Sequence, residues 1–236
     1  MPTAVTPTDG KFLPAQQKRF FSDLALRHWK EMRLLLRGGK LWKKAGWRGV
    51  VEHSLIQLAV ADALAEILHL RNYEREMLRR AAVVHDWKKR MEKAPEDFTH
   101  RDHAIAARLF QEVQPDSALL LATTPAFLER ALINGEATWL ELLQFYIDDL
   151  CMGGKIVPWQ ERIDELEKRK PELNQDQELT RKLGGRYWDK ERELAQAVEQ
   201  LIACDLQARG QGLVTPGDIP EFVRNNIRAK IEKCPR

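Results

Sequence analysis

Residues 78–90 read LRRAAVVHDWKKR. An apolar run from Ala81 to Val84 stops at an imidazole and a carboxylate, His85 and Asp86, and three cations follow at Lys88, Lys89 and Arg90. A buried helix ending this way needs something more from the chain, because both polar groups are costly to bury unless they are paired or bound.

The flanking sequence is helical in pattern. Apolar and charged positions recur at three-to-four spacing from about Ala15 to Leu36, stopping at Gly38-Gly39. A basic, aromatic connector follows, GGKLWKKAGWRG (38–49). From Val50 to about Leu68 the chain is rich in Leu, Ile, Val and Ala almost all round, the pattern of a central buried helix. The stretch HLRNY breaks it, and Glu74 to His85 forms the next helix. A loop over KAPEDFTHRD leads to Asp102, a candidate cap for a helix from His103 to about Val113. Another helix is punctuated by Pro115 and Pro125, and further ones are expected from Thr138 to Leu150, over WQERIDELEKR, from about Asp189 to Gln207, and from Pro220 onward. CMGGKIVP (151–158) reads as a turn. Long alternating runs and internal repeats are absent, so the expected fold is all-α: a flexible tail over residues 1–14, then one domain over 15–236.

Composition bounds the function. Apolar content of 44% and charge of 31% describe a globular chain, and a net charge of +3 implies no strong field for nucleic acid. Cys151, Cys204 and Cys234 are few, odd in number and far apart, which argues against a disulfide scaffold and for a reducing cytoplasm. The first residues lack the apolar run of a signal peptide. No stretch approaches the roughly 18 uninterrupted apolar residues of a membrane span.

The partner for His85 and Asp86 comes from the preceding helix. With a turn at Leu70 to Tyr73, His53 and His85 lie about 16 and 11 residues from their helix ends, or roughly 24 and 17 Å at about 1.5 Å per residue. Antiparallel packing brings both to one end of a hairpin. FYIDDLCMGGK (145–155) adds carboxylates at Asp148 and Asp149, again where an apolar helix meets a turn. Two neutral imidazoles and two carboxylates make a mixed N/O shell suited to one Mn, Fe, Co, Ni or Zn ion.

The ordered set His53, His85-Asp86 and a late aspartate resembles the HD-domain metal-dependent phosphohydrolases. VVEHSLIQLAVADALAEIL (50–68) is similar to the family's first metal helix, and LRRAAVVHDWKKR to its HD signature, with Lys89 at the lysine position. HAIAARLF (103–110) and YIDDLCMGGKIVPWQERIDEL (146–166) resemble the segments that follow. The resemblance covers about residues 45–170 and implies a helical bundle. It also implies a metal shell of His53, His85, Asp86 and Asp149, with Asp148 at a position usually held by a small residue.

The expected activity is hydrolysis of a phosphorylated small molecule, a nucleotide or nucleotide-like ester, through a metal-bound water. Asp86 or a neighbouring carboxylate would accept its proton, Lys89 would neutralise charge on the phosphoryl oxygens, and His103 would line the substrate pocket. No histidine follows position 103, so one metal is expected rather than two. Trp87 and Lys88 replace smaller residues of the family's commonest form. A bulky Trp87 closing the pocket would instead make a regulatory or ligand-binding module that holds metal with little or no turnover. Neither a membrane nor nucleic acid is the expected partner, while self-association is compatible with the sequence.

Overall fold

The structure, a computed structural model, describes residues 14–39, 46–210 and 214–235. The N-terminal tail and the connector side chains Lys40, Trp42, Lys43, Lys44, Trp47 and Arg48 lie outside the described residues. The chain forms an all-α bundle. In order, its helices are α1 (Pro14–Arg27), α2 (Trp29–Gly38), α3 (Gly46–Ile67), α4 (Asn72–Val84), α5 (Lys89–Lys93), α6 (His100–Val113), α7 (Ser117–Leu121) and α8 (Pro125–Glu129). After a π-helical turn at Arg130–Asn134 come α9 (Trp139–Asp149), α10 (Trp159–Arg169), α11 (Glu172–Gln175), α12 (Gln177–Leu183), α13 (Tyr187–Ala208) and α14 (Ile219–Glu232).

α3 is the hub, packing against α1, α4, α9 and α14. Its all-round apolar surface requires this, since a helix with no polar stripe has to be covered on every side. Ile56, Leu58, Val60 and Leu64 are fully enclosed. The turn into α4 closes on His69, whose φ of 50° lies in the left-handed region. His69 N–H donates to Glu66 O and Leu70 N–H to Ala65 O, which satisfies the last carbonyls of α3.

Three local expectations need correction. The single helix expected from 15 to 36 is broken at His28, with φ −111° and ψ 38°. The break lets α1 pack on α3 and α14 while α2 turns toward α4 and α6. At α6 the cap is Thr99, not Asp102. Thr99 Oγ1 accepts from Asp102 N–H, and Asp102 Oδ2 accepts from Thr99 N–H, a reciprocal capping box. Residues 151–156 form more than a turn: Cys151–Met152 pairs antiparallel with Lys155–Ile156. Gly153 supplies the φ of 59° that this reversal needs.

α9 is pinned at both ends. Thr138 and Glu141 form its capping box, and Glu141 is ion-paired with Arg130. Further along, Tyr146 Oη donates to Glu199 Oε1 of α13 over 2.6 Å, and Trp159 Nε1 of α10 donates to Glu199 Oε2 over 3.0 Å. A buried carboxylate thus ties α9 and α10 to α13, and fixes the roll of α9.

Candidate metal centre

The starts of α3 and α5 and the ends of α4 and α9 converge. His53 projects from the second turn of α3, His85 caps α4, Asp86 follows it, and Asp148 is the next-to-last residue of α9. The nitrogen or oxygen ligand atoms of His53, His85 and Asp86 all lie within 4.8 Å of one another. The two imidazole rings meet edge to face, with centroids 5.5 Å apart.

His85 decides the chemistry. Its Nδ1 is 3.1 Å from the carbonyl oxygen of Ala82, so Nδ1 carries the proton and donates it there. Nε2 is left with a lone pair, fully enclosed and without a hydrogen-bond partner. Burial holds this imidazole below its ordinary pKa, against the pull of Asp86 and Asp148, and keeps it neutral. The lone pair faces two carboxylate oxygens, Asp86 Oδ2 and Asp148 Oδ1, each 3.7 Å away. A neutral nitrogen aimed at anionic oxygens is poor pairing in itself and suitable for a shared cation. The donor set therefore fits a divalent metal.

The late carboxylate differs from the expected one. Asp148 Oδ1 stands 3.0 Å from His53 Nε2, whereas Asp149 is turned inward toward Glu191 and Arg162. Adjacent helical residues point about 100° apart, so α9 offers one of them to the imidazoles, and that one is Asp148. The family resemblance put the late ligand at Asp149; in the structure it is Asp148, one residue earlier, that stands beside the imidazoles. Burial pushes the Asp149 carboxyl well up, reinforced by Glu191 and Asp148. Burial acts the same way on Asp148, but hydrogen bonding and charge from His53 outweigh it and hold the group far below the carboxylate range.

Lys89 Nζ donates to Asp86 Oδ2 over 2.6 Å. Burial pushes the Asp86 carboxyl up, and its neighbours His85 and Lys89 bring it below its ordinary value. His103 is not brought to this group. It is exposed on α6, its ring 6.2 Å from that of Phe98. Trp87 packs against the satellite core of Met91, Phe98 and Ala106 and lies 5.5 Å from the Phe110 ring. Its backbone is held by α2. A Cβ on Gly38 would stand 1.6 Å from Trp87 O, so only glycine permits this approach. Arg90 Nη1 adds a 2.7 Å bond to Gly39 O.

Two further residues belong to the surroundings. Gln57, one helical turn beyond His53, donates from Nε2 to Asp148 Oδ1. Its i+4 spacing from His53 was the available signal, masked by the apolar character of α3. Lys170, the C-cap of α10, has its pKa lowered by desolvation and then by the like charge of Lys89, while Asp148 and Asp86 pull the other way. Nothing in its sequence context marks it.

No family model matches the chain, and no curated protein or solved structure does. Fold and site together define an all-α protein with a His/His/Asp cluster of metal-binding type. Among the described residues, no helix is long and apolar enough to cross a membrane.

Proposed function

We propose that the chain is a metal-dependent phosphohydrolase of the HD type, acting on a nucleotide or nucleotide-like phosphate ester. The observation that carries this reading is the enclosed, unpartnered His85 Nε2 facing two carboxylates. His53, His85, Asp86 and Asp148 would hold one divalent ion. When bound, such an ion polarises a phosphoryl oxygen and lowers the pKa of coordinated water.

The protein's own groups supply the rest. Asp86, held as an anion by Lys89, is the proton acceptor beside the attacking water. Lys89, its side chain 38% exposed, is placed to exchange Asp86 for a phosphoryl oxygen. His103 has no part in this reading, being exposed against Phe98. The packing of Trp87 against Met91, Phe98 and Ala106 favours turnover over a metal-holding module without it. A reducing cytoplasm suits the three free cysteines.

Elemental analysis of the purified chain, then a phosphate-release screen across nucleotides with added Mn²⁺, Co²⁺ or Ni²⁺, tests the proposal. Saturable metal with turnover supports it. Metal without release on any ester favours the binding module, and absence of metal binding overturns both.

A further inference from the structure

Gln57 reaches the same face of α3 as His53, because residues four apart are neighbours on a helix. It is fully buried. Its Nε2 lies 3.0 Å from His53 Nε2 and 2.5 Å from Asp148 Oδ1, and those two atoms are themselves 3.0 Å apart. Three side-chain atoms from two helices thus form a closed triangle. Donor atoms placed about 2.1 Å from an octahedral ion stand about 3.0 Å from their neighbours. The triangle has the size of one face of a coordination shell.

An amide N–H suits that corner in the metal-free protein, where it donates to Asp148 and lies beside His53 Nε2. Beside a cation it does not, because the amide's positive end would face the ion that His53 and Asp148 address with lone pairs. A half-turn of the terminal amide exchanges nitrogen and oxygen at nearly the same positions. Gln57 Oε1 has no hydrogen-bond partner where it stands, so the exchange sacrifices no bond of the carbonyl.

We propose that Gln57 is a further ligand, its Oε1 joining His53, His85, Asp86 and Asp148 in a five-donor set. The assignment rests on the metal-centre reading. A fifth, uncharged oxygen donor favours ions that accept five or six ligands, Mn²⁺ or Fe²⁺ above all, over tetrahedral Zn²⁺.

Calorimetric titration of the full chain with Mn²⁺ alone tests this, using wild type, Gln57→Leu, Gln57→Glu and His85→Ala. Gln57→Leu is expected to weaken Mn²⁺ binding by about 10-fold or more, with its metal-free helical signal unchanged. Gln57→Glu restores an oxygen at the same corner and is expected to bind at least as tightly as wild type. A crystal structure of the Mn²⁺-loaded wild type is expected to place Oε1 within bonding distance of the ion, a readout independent of whether the leucine variant folds. Wild-type affinity in Gln57→Leu, with binding lost in His85→Ala, overturns the Gln57 assignment alone. Weaker binding in Gln57→Glu than in Gln57→Leu does the same, since it would make the N–H donated to Asp148 the important feature. No saturable binding by wild type removes the metal reading and this one with it.

Discussion

His53 Nε2 and Asp148 Oδ1 are 3.0 Å apart, although 95 residues separate them in the chain. The contact joins the second turn of α3 to the last turn of α9, and it makes Asp148 rather than Asp149 the anion beside the imidazoles.

The two aspartates therefore separate by experiment. Asp148→Asn removes an anionic donor and is expected to weaken metal binding by about 10-fold or more. Asp149→Asn removes an inward carboxyl whose charge is already disfavoured by burial and Glu191, so metal content should be close to wild type. Metal occupancy of both variants, measured side by side, checks this. The reverse pattern would return the ligand to Asp149.

Most of the helical plan was legible, because apolar periodicity and capping residues are local signals. The α3–α4 hairpin followed from an apolar helix, a polar break and a second apolar run, and it brought His53 to His85. What was not legible depends on rotation and packing. No glycine or proline marks the break at His28. The choice between Asp148 and Asp149 depends on the roll of α9, set by Tyr146 and Trp159 bonding to Glu199, more than 35 residues downstream. The strands at 151–156 are two residues long, too short to show alternation.

Lys89 offers a test of the proposed chemistry. Its Nζ touches Asp86 and not the imidazoles, so Lys89→Ala should leave metal content unchanged. Turnover should fall by about 10²-fold, as when one donor to a developing oxyanion is removed. Lys89→Arg should recover part of the loss. Phosphate release with parallel metal analysis checks both. Wild-type turnover in Lys89→Ala would reduce the residue to a surface lysine.

Gly38 tests how the HD turn is held. Alanine there would drive a methyl group into Trp87 O, forcing α2 away from residues 85–90. Overpacking of this kind costs about 1–3 kcal/mol, and about 2–4 °C of Tm per kcal/mol in a chain of this size. Gly38→Ala should melt lower by that amount. Gly49→Ala is the control, since a Cβ there meets nothing within 4 Å. Equal melting of the two variants would mean that α2 yields without cost.

The carboxylate that sets the roll of α9 carries a pH signature. Burial raises the Glu199 carboxyl above its ordinary value of 4.5, and the hydrogen bonds from Tyr146 and Trp159 offset only part of the rise. The folded protein thus holds this proton more tightly than the unfolded chain does. Native protonation in excess of unfolded protonation means that stability falls as pH rises. The contribution is fully present below 4.5 and is lost as pH climbs through the raised folded value. Glu199→Gln cannot ionise and lacks this component, although one of its two donors then faces an amide N–H₂. The variant should be the less stable at acid pH, through that lost bond, and should gain on wild type as pH rises. Asp62 and Glu141, with lowered carboxyls, impose the opposite slope on both proteins. They cancel in the difference. Urea unfolding of the two proteins at pH 4.5, 6 and 7.5 measures it. A stability difference that stays constant with pH would show that Glu199 titrates alike in the folded and unfolded chain.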